Sequence, residues 1–150
     1  MDFLGKTYLL GNRTAVALYD AVKDLPIVDA HNHADVKEIW ENANYSDIWQ
    51  VEAAADHYTW EMMRKRGIPE RLVTGEGSNK EKWMALASVF DDLVGNPTYD
   101  WIHLDIRRTL GIDTLITAET GEQIWNDASR KLAADDMKPR SMLQKANVKW

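Results

Sequence analysis

Apolar residues return at helical spacing along most of the chain, and only two short stretches break that rhythm. Between residues 12 and 24, Val16, Leu18, Tyr19 and Val22 follow a three-to-four-residue repeat behind Asn12, a good helix cap; this predicts a first helix. Pro26 ends the pattern, and Ile27-Val28-Asp29-Ala30-His31 reads as a short strand between turn formers. Helical spacing then resumes. Asp35 can cap a short helix carrying Ile39 and Trp40, and a longer helix is expected over 51–66, ending at Gly67 before Pro69. Ser78 and Glu81 have capping-box spacing ahead of an apolar stripe of Trp83, Leu86, Ala87 and Phe90, closed by Gly95. Pro97 suits the first turn of a helix carrying Trp101, Leu104 and Arg108. Thr117 can cap another with Ile124, Trp125 and Ala128, and Pro139 opens a last one through Leu143. Residues 147–150 read as the start of a second strand.

A strand at 27–31 needs partners for its backbone groups, and the other candidate begins only as the sequence stops. The pattern therefore predicts a mostly helical α/β chain, in which a first strand is followed by a long helical excursion and the second strand is cut off early. No repeats, low-complexity tracts or linkers divide its 150 residues.

Composition narrows the chemistry. A net charge of −6, with basic residues bunched only at Arg64-Lys65-Arg66 and Arg107-Arg108, argues against a nucleic-acid surface. The absence of Cys removes disulfides, thiolate zinc sites and Cys nucleophiles, and fits a reducing cytoplasm. The N-terminal Met-Asp-Phe-Leu-Gly-Lys is not built like a signal peptide, and no apolar run approaches the ~18 residues of a membrane span. A soluble cytoplasmic protein without a membrane partner is expected.

Three features remain as candidate chemistry. His31 and His33 stand two apart at the strand end, so both imidazoles should point to one side and can share a divalent ion, with Asp29 one step earlier on the same face. Two partly exposed histidines satisfy the same spacing; the position at the C-terminal end of a first strand, where α/β barrels build active sites, favours the metal. Asp56-His57-Tyr58 either faces a cleft, where His and Tyr can hydrogen-bond a sugar acid, or is ordinary helix surface. Arg64 can meet an acidic substrate or a neighbouring carboxylate. His103, among Trp101 and Leu104, reads as an interior histidine, and Glu52 and Glu61 as scattered carboxylates. No phosphate loop or nucleophile elbow is present.

In order along the chain, DLPIVDAHNH (Asp24 to His33), SDIW (Ser46 to Trp49), DHYTWEMMRKRG (Asp56 to Gly67), TGEGSNKEKW (Thr74 to Trp83), GNPTYDWIHLDIRR (Gly95 to Arg108), EQIWN (Glu122 to Asn126) and MLQKANVKW (Met142 to Trp150) resemble the N-terminal part of the uronate isomerase, or glucuronate isomerase, family of the amidohydrolase superfamily. The His-x-His is shared by many amidohydrolases; the DHY and GNPTY stretches are more particular. The resemblance implies the N-terminal portion of a distorted (β/α)8 barrel: a helix and first strand over about 12–34, a helical insertion over about 35–146, and the second strand from 147. It implies interconversion of D-glucuronate with D-fructuronate and of D-galacturonate with D-tagaturonate. His31 and His33 would be metal ligands, the metal a divalent ion, usually zinc. His57 and Tyr58 would contact substrate, with Arg64 beside them as a further substrate-binding candidate. Further metal-site and catalytic residues, including a late Asp and Arg, would lie beyond residue 150, so the chain alone should be inactive, and the full-length protein a homo-oligomer. Two other readings are a different amidohydrolase-type hydrolase and a non-catalytic helical binding module.

Overall fold

The computed structural model describes residues 4–149, so Met1–Phe3 of the expected leaderless N-terminus and Trp150 of the expected second strand lie outside the described residues. Within them, eight helices surround a core made mainly by α3 (Ile48–Glu52), α5 (Asn79–Ala87) and α7 (Gly121–Leu132), which pack on one another. Trp83, Leu86 and Ala87 from α5 meet Ile48 and Trp49 of α3 and Ile124, Ala128 and Leu132 of α7, all buried. The capping box at Ser78 forms as expected, with Glu81 accepting from the Ser78 amide at 2.9 Å. The Trp83 indole donates to the Gly121 carbonyl at 2.8 Å and so ties α5 to the first turn of α7. That contact needs a bare Cα at Gly121, because an added Cβ would lie 2.7 Å from the Ala87 Cβ. Gly121→Ala is expected to cost about 1–3 kcal/mol by overpacking, read from chemical denaturation; an unchanged or raised midpoint would contradict the packing described.

α6 (Pro97–Leu110) begins with Pro97 behind the Asn96 cap and stops at Gly111, whose φ of 60° suits glycine. Its buried face is Tyr99, Ile102, His103, Ile106 and Leu110, while Trp101 is 57% exposed. Trp101 is therefore turned away from the core, and Thr98 completes the buried face beside His103. Phe90 also leaves the α5 stripe, opening a separate 3₁₀ turn, Phe90–Leu93, that packs on α5 and α6.

The two strands pair. β1 (Ile27–Val28) lies parallel to β2 (Val148–Lys149), with Ile27 opposite Val148 and Val28 opposite Lys149. β1 is shorter than the expected 27–31, with ladder pairing at Ile27 and Val28 among the described residues. α8 (Pro139–Lys145) bridges the sheet to α2 (Val36–Glu41), where the Arg140 side chain donates to the Ile39 and Trp40 carbonyls. α1 (Arg13–Val22) is capped by Asn12 as expected, but buries none of its residues. Its Leu18, Tyr19 and Val22, with Val28 and Trp40, leave an apolar surface exposed. No helix among the described residues is long and apolar enough to cross a membrane.

Two helix boundaries differ from the expected ones. Thr117 receives the Glu119 and Thr120 amides and so caps a turn, and α7 starts only after Thr120. The helix expected over 51–66 is two: α3 ends at Glu52, and α4 (His57–Lys65) begins anew after a corner at residues 53–56.

Candidate metal and sugar-acid site

That corner places the candidate residues. The Ala53 carbonyl accepts the Trp60 indole at 2.7 Å, closing the corner, and Asp56 becomes the α4 cap. Its Oδ1 accepts the Tyr58 amide at 2.9 Å, and its Oδ2 accepts the hydroxyl of buried Thr59 at 2.7 Å and the Thr59 amide at 3.3 Å. His57 and Tyr58 thus stand on the first turn of α4, held by a saturated carboxylate. Sequence reading put Asp56 within a continuous helix; the cap-like spacing from Asp56 to Thr59 was the missed signal. Asp56→Ala is expected to cost about 1–3 kcal/mol, from the lost cap and the unsatisfied Thr59 hydroxyl, in a denaturant titration. A loss below ~0.5 kcal/mol would mean that the corner is held by other contacts.

His31 and His33 lie beyond the end of β1, yet their rings converge, with the two Nε2 atoms 3.3 Å apart. Asp29 turns back, accepting the His31 amide at 3.2 Å, so its carboxylate orients the backbone. The His33 ring stacks on that of His57 at 5.8 Å between centroids, His57 meets Tyr58 at 4.2 Å, and Tyr58 meets Trp101 edge-on at 6.4 Å. Four of the five sequence candidates therefore form one exposed row, extended by Trp101 of α6. Arg64 is not in this row. It sits two turns further along α4, about 10 Å at 1.5 Å per residue, and its guanidinium grips both oxygens of Glu70 at 2.7 and 2.6 Å. Hydrogen bonds from Arg64 and Thr74 hold the Glu70 carboxyl down to about 2. The structure thus realises the neighbouring-carboxylate reading of Arg64.

His103 is interior as expected. Its Nε2 accepts the Ile116 amide at 2.8 Å and its Nδ1 faces the Tyr99 carbonyl at 2.9 Å, which assigns the proton to Nδ1. Burial lowers its pKa and keeps it neutral there.

Two nitrogens each about 2.05 Å from a tetrahedral zinc would be separated by about 3.3 Å, so the pair fits one ion. Among the described residues no third His, Cys, Asp or Glu gathers with it. Beside His33 opens a cleft of about 480 Å³ walled by Asp35, Glu38, Glu52 and Asp56.

The glucuronate isomerase family model matches residues 1–150. The chain belongs to the glucuronate isomerase family. The uronate isomerase of Thermotoga petrophila is 56% identical over 146 residues, covering 97% of this chain and 32% of that protein. That of Bacillus subtilis is 40% identical over 148 residues, covering 98% of this chain and 31% of that protein. The crystal structure of Thermotoga maritima uronate isomerase superposes with a TM-score of 0.94 at 54% identity, over 99% of this chain and 33% of that one. Caulobacter crescentus glucuronate isomerase gives 0.82 at 26% identity, over 88% of this chain and 29% of that one. The chain thus spans about a third of the length of the family members it matches.

Proposed function

We propose that this chain is part of a longer uronate isomerase, and that it supplies two metal ligands and part of the sugar-acid site. The observation that carries this reading is the 3.3 Å approach of the His31 and His33 Nε2 atoms beside the His57–Tyr58 corner, in a chain of this family. His31 and His33 would hold the ion, and the remaining ligands would come from the rest of the protein. A bound divalent ion, zinc by the donor set, would polarise the substrate oxygen beside it. Isomerisation moves a proton between adjacent carbons of the open-chain sugar through an enediol, so a base and a charge-stabilising group must flank those carbons. Here His57 and Tyr58 project toward the metal pair and can hydrogen-bond hydroxyls or the carboxylate. The acidic wall of Asp35, Glu38 and Asp56 repels a carboxylate, which directs that end of the substrate to the His57–Tyr58 side of His33. The apolar surface of α1, β1 and α2 would pack against the remaining barrel strands.

The reading predicts that the full-length protein converts D-glucuronate and D-galacturonate to their ketoses and leaves amides and esters intact. Hydrolysis of an amide or ester with no ketose formed would instead establish the hydrolase reading.

A further inference from the structure

Glu52, the last residue of α3, walls the cleft beside His33 and has no other role so far described. Its Oε1 is sealed from solvent and has no hydrogen-bond partner, although the residue as a whole is only half-buried. The groups acting on it are acidic: the Asp105 carboxyl on α6, within hydrogen-bonding reach, and Asp56 at the α4 cap. His33, Asp35, Glu38 and Tyr45 line the same cleft. The buried side chains of α5 and α7, packed against α3, are Trp83, Leu86, Ala87, Ile124, Ala128 and Leu132, none of them titratable. Burial, with Asp105 and Asp56 adding repulsion, drives the Glu52 pKa well above the usual carboxylate range.

Asp56 has both oxygens committed to α4, whereas Asp105 accepts only the Thr109 hydroxyl at 2.6 Å among the described contacts. A proton on Glu52, donated to the exposed Asp105 carboxylate, removes the repulsion between the two groups. It also leaves the orphaned Oε1 as a neutral carbonyl, far cheaper to bury than an anionic oxygen. Asp105 lies four residues after Trp101, on the same face of α6. One face of α6 therefore meets the α3–α4 corner twice, through Trp101 on Tyr58 and through Asp105 on Glu52.

We infer that Glu52 is a positioning residue: as the neutral acid it donates a hydrogen bond to Asp105 and holds α6 against the corner that presents His57 and Tyr58. Its kinetic consequence rests on the isomerase reading; its effect on stability does not. A neutral Glu52 binds a proton in the folded state that it loses when unfolded, so its stabilising contribution is complete below the unfolded carboxylate range. That contribution falls as pH rises toward the raised folded value.

The test uses the metal-loaded full-length protein, wild type beside Glu52→Gln and Glu52→Ala. Glutamine keeps a donor and cannot ionise. Its thermal midpoint should therefore gain on wild type as pH rises from about 5 to about 8. Glu52→Ala should lower kcat/KM for D-glucuronate by about tenfold, and Gln should restore most of that loss. A midpoint difference that stays flat or moves against Gln with rising pH would overturn the inference, since an ionised Glu52 paired with a cation predicts that sign. A wild type that forms no ketose would defeat the isomerase reading, while the midpoints would still decide the state of Glu52.

Discussion

Replacing His31 and His33 together by alanine in the full-length protein is expected to release its bound zinc and lower kcat/KM for D-glucuronate by about 10³-fold or more. The size follows from the several kcal/mol that a metal contributes by stabilising developing charge, at 1.36 kcal/mol per tenfold. Both histidines are exposed and stand outside the core cluster, so folding should survive the change. Elemental analysis for zinc and ketose progress curves read the two effects separately. Zinc retained at wild-type stoichiometry, with less than a tenfold loss of rate, would remove the pair from the site.

The largest loss of stability is expected at Trp83. Its side chain is fully buried between α3 and α7, and its indole supplies the hydrogen bond to the Gly121 carbonyl. Trp83→Ala should cost about 3–5 kcal/mol from lost burial and the cavity left behind. This is a large part of the roughly 5–15 kcal/mol of a typical domain. Denaturant unfolding followed by circular dichroism checks it; a cost under ~1 kcal/mol would mean that the α3–α5–α7 centre does not carry the fold.

The parts of the fold legible in the sequence were those set by local chemistry. Asn12, Asp35, Ser78 with Glu81, and Pro97 each mark the helix start that they were expected to mark, because a cap satisfies amides within its own turn. Features that depend on a distant partner were harder to read. The corner between α3 and α4 is fixed by Trp60 reaching back to Ala53 and by the Asp56 cap, while periodicity runs straight through it. On α6 the interior place of His103 was legible, whereas its contacts to the Tyr99 carbonyl and the distant Ile116 amide appear only in the fold.

The site shows the same division. The His-x-His spacing anticipated converging imidazoles even though the strand stops short of them. Only the three-dimensional arrangement adds Trp101 to the row and separates Arg64 from it. Glu52 resembled any other helical carboxylate. Its four-residue spacing from fully buried Ile48, placing both on one face of α3, was the available clue.

The central claim is that the His31–His33 and His57–Tyr58 cluster forms one part of a site completed elsewhere in a longer isomerase. Its most direct test is ketose formation from D-glucuronate by the zinc-supplied full-length protein, measured beside residues 1–150 alone at equal concentration. Turnover by the full-length protein and none by residues 1–150 is the predicted result. Isomerisation by residues 1–150 alone, or none by the full-length protein, would contradict it.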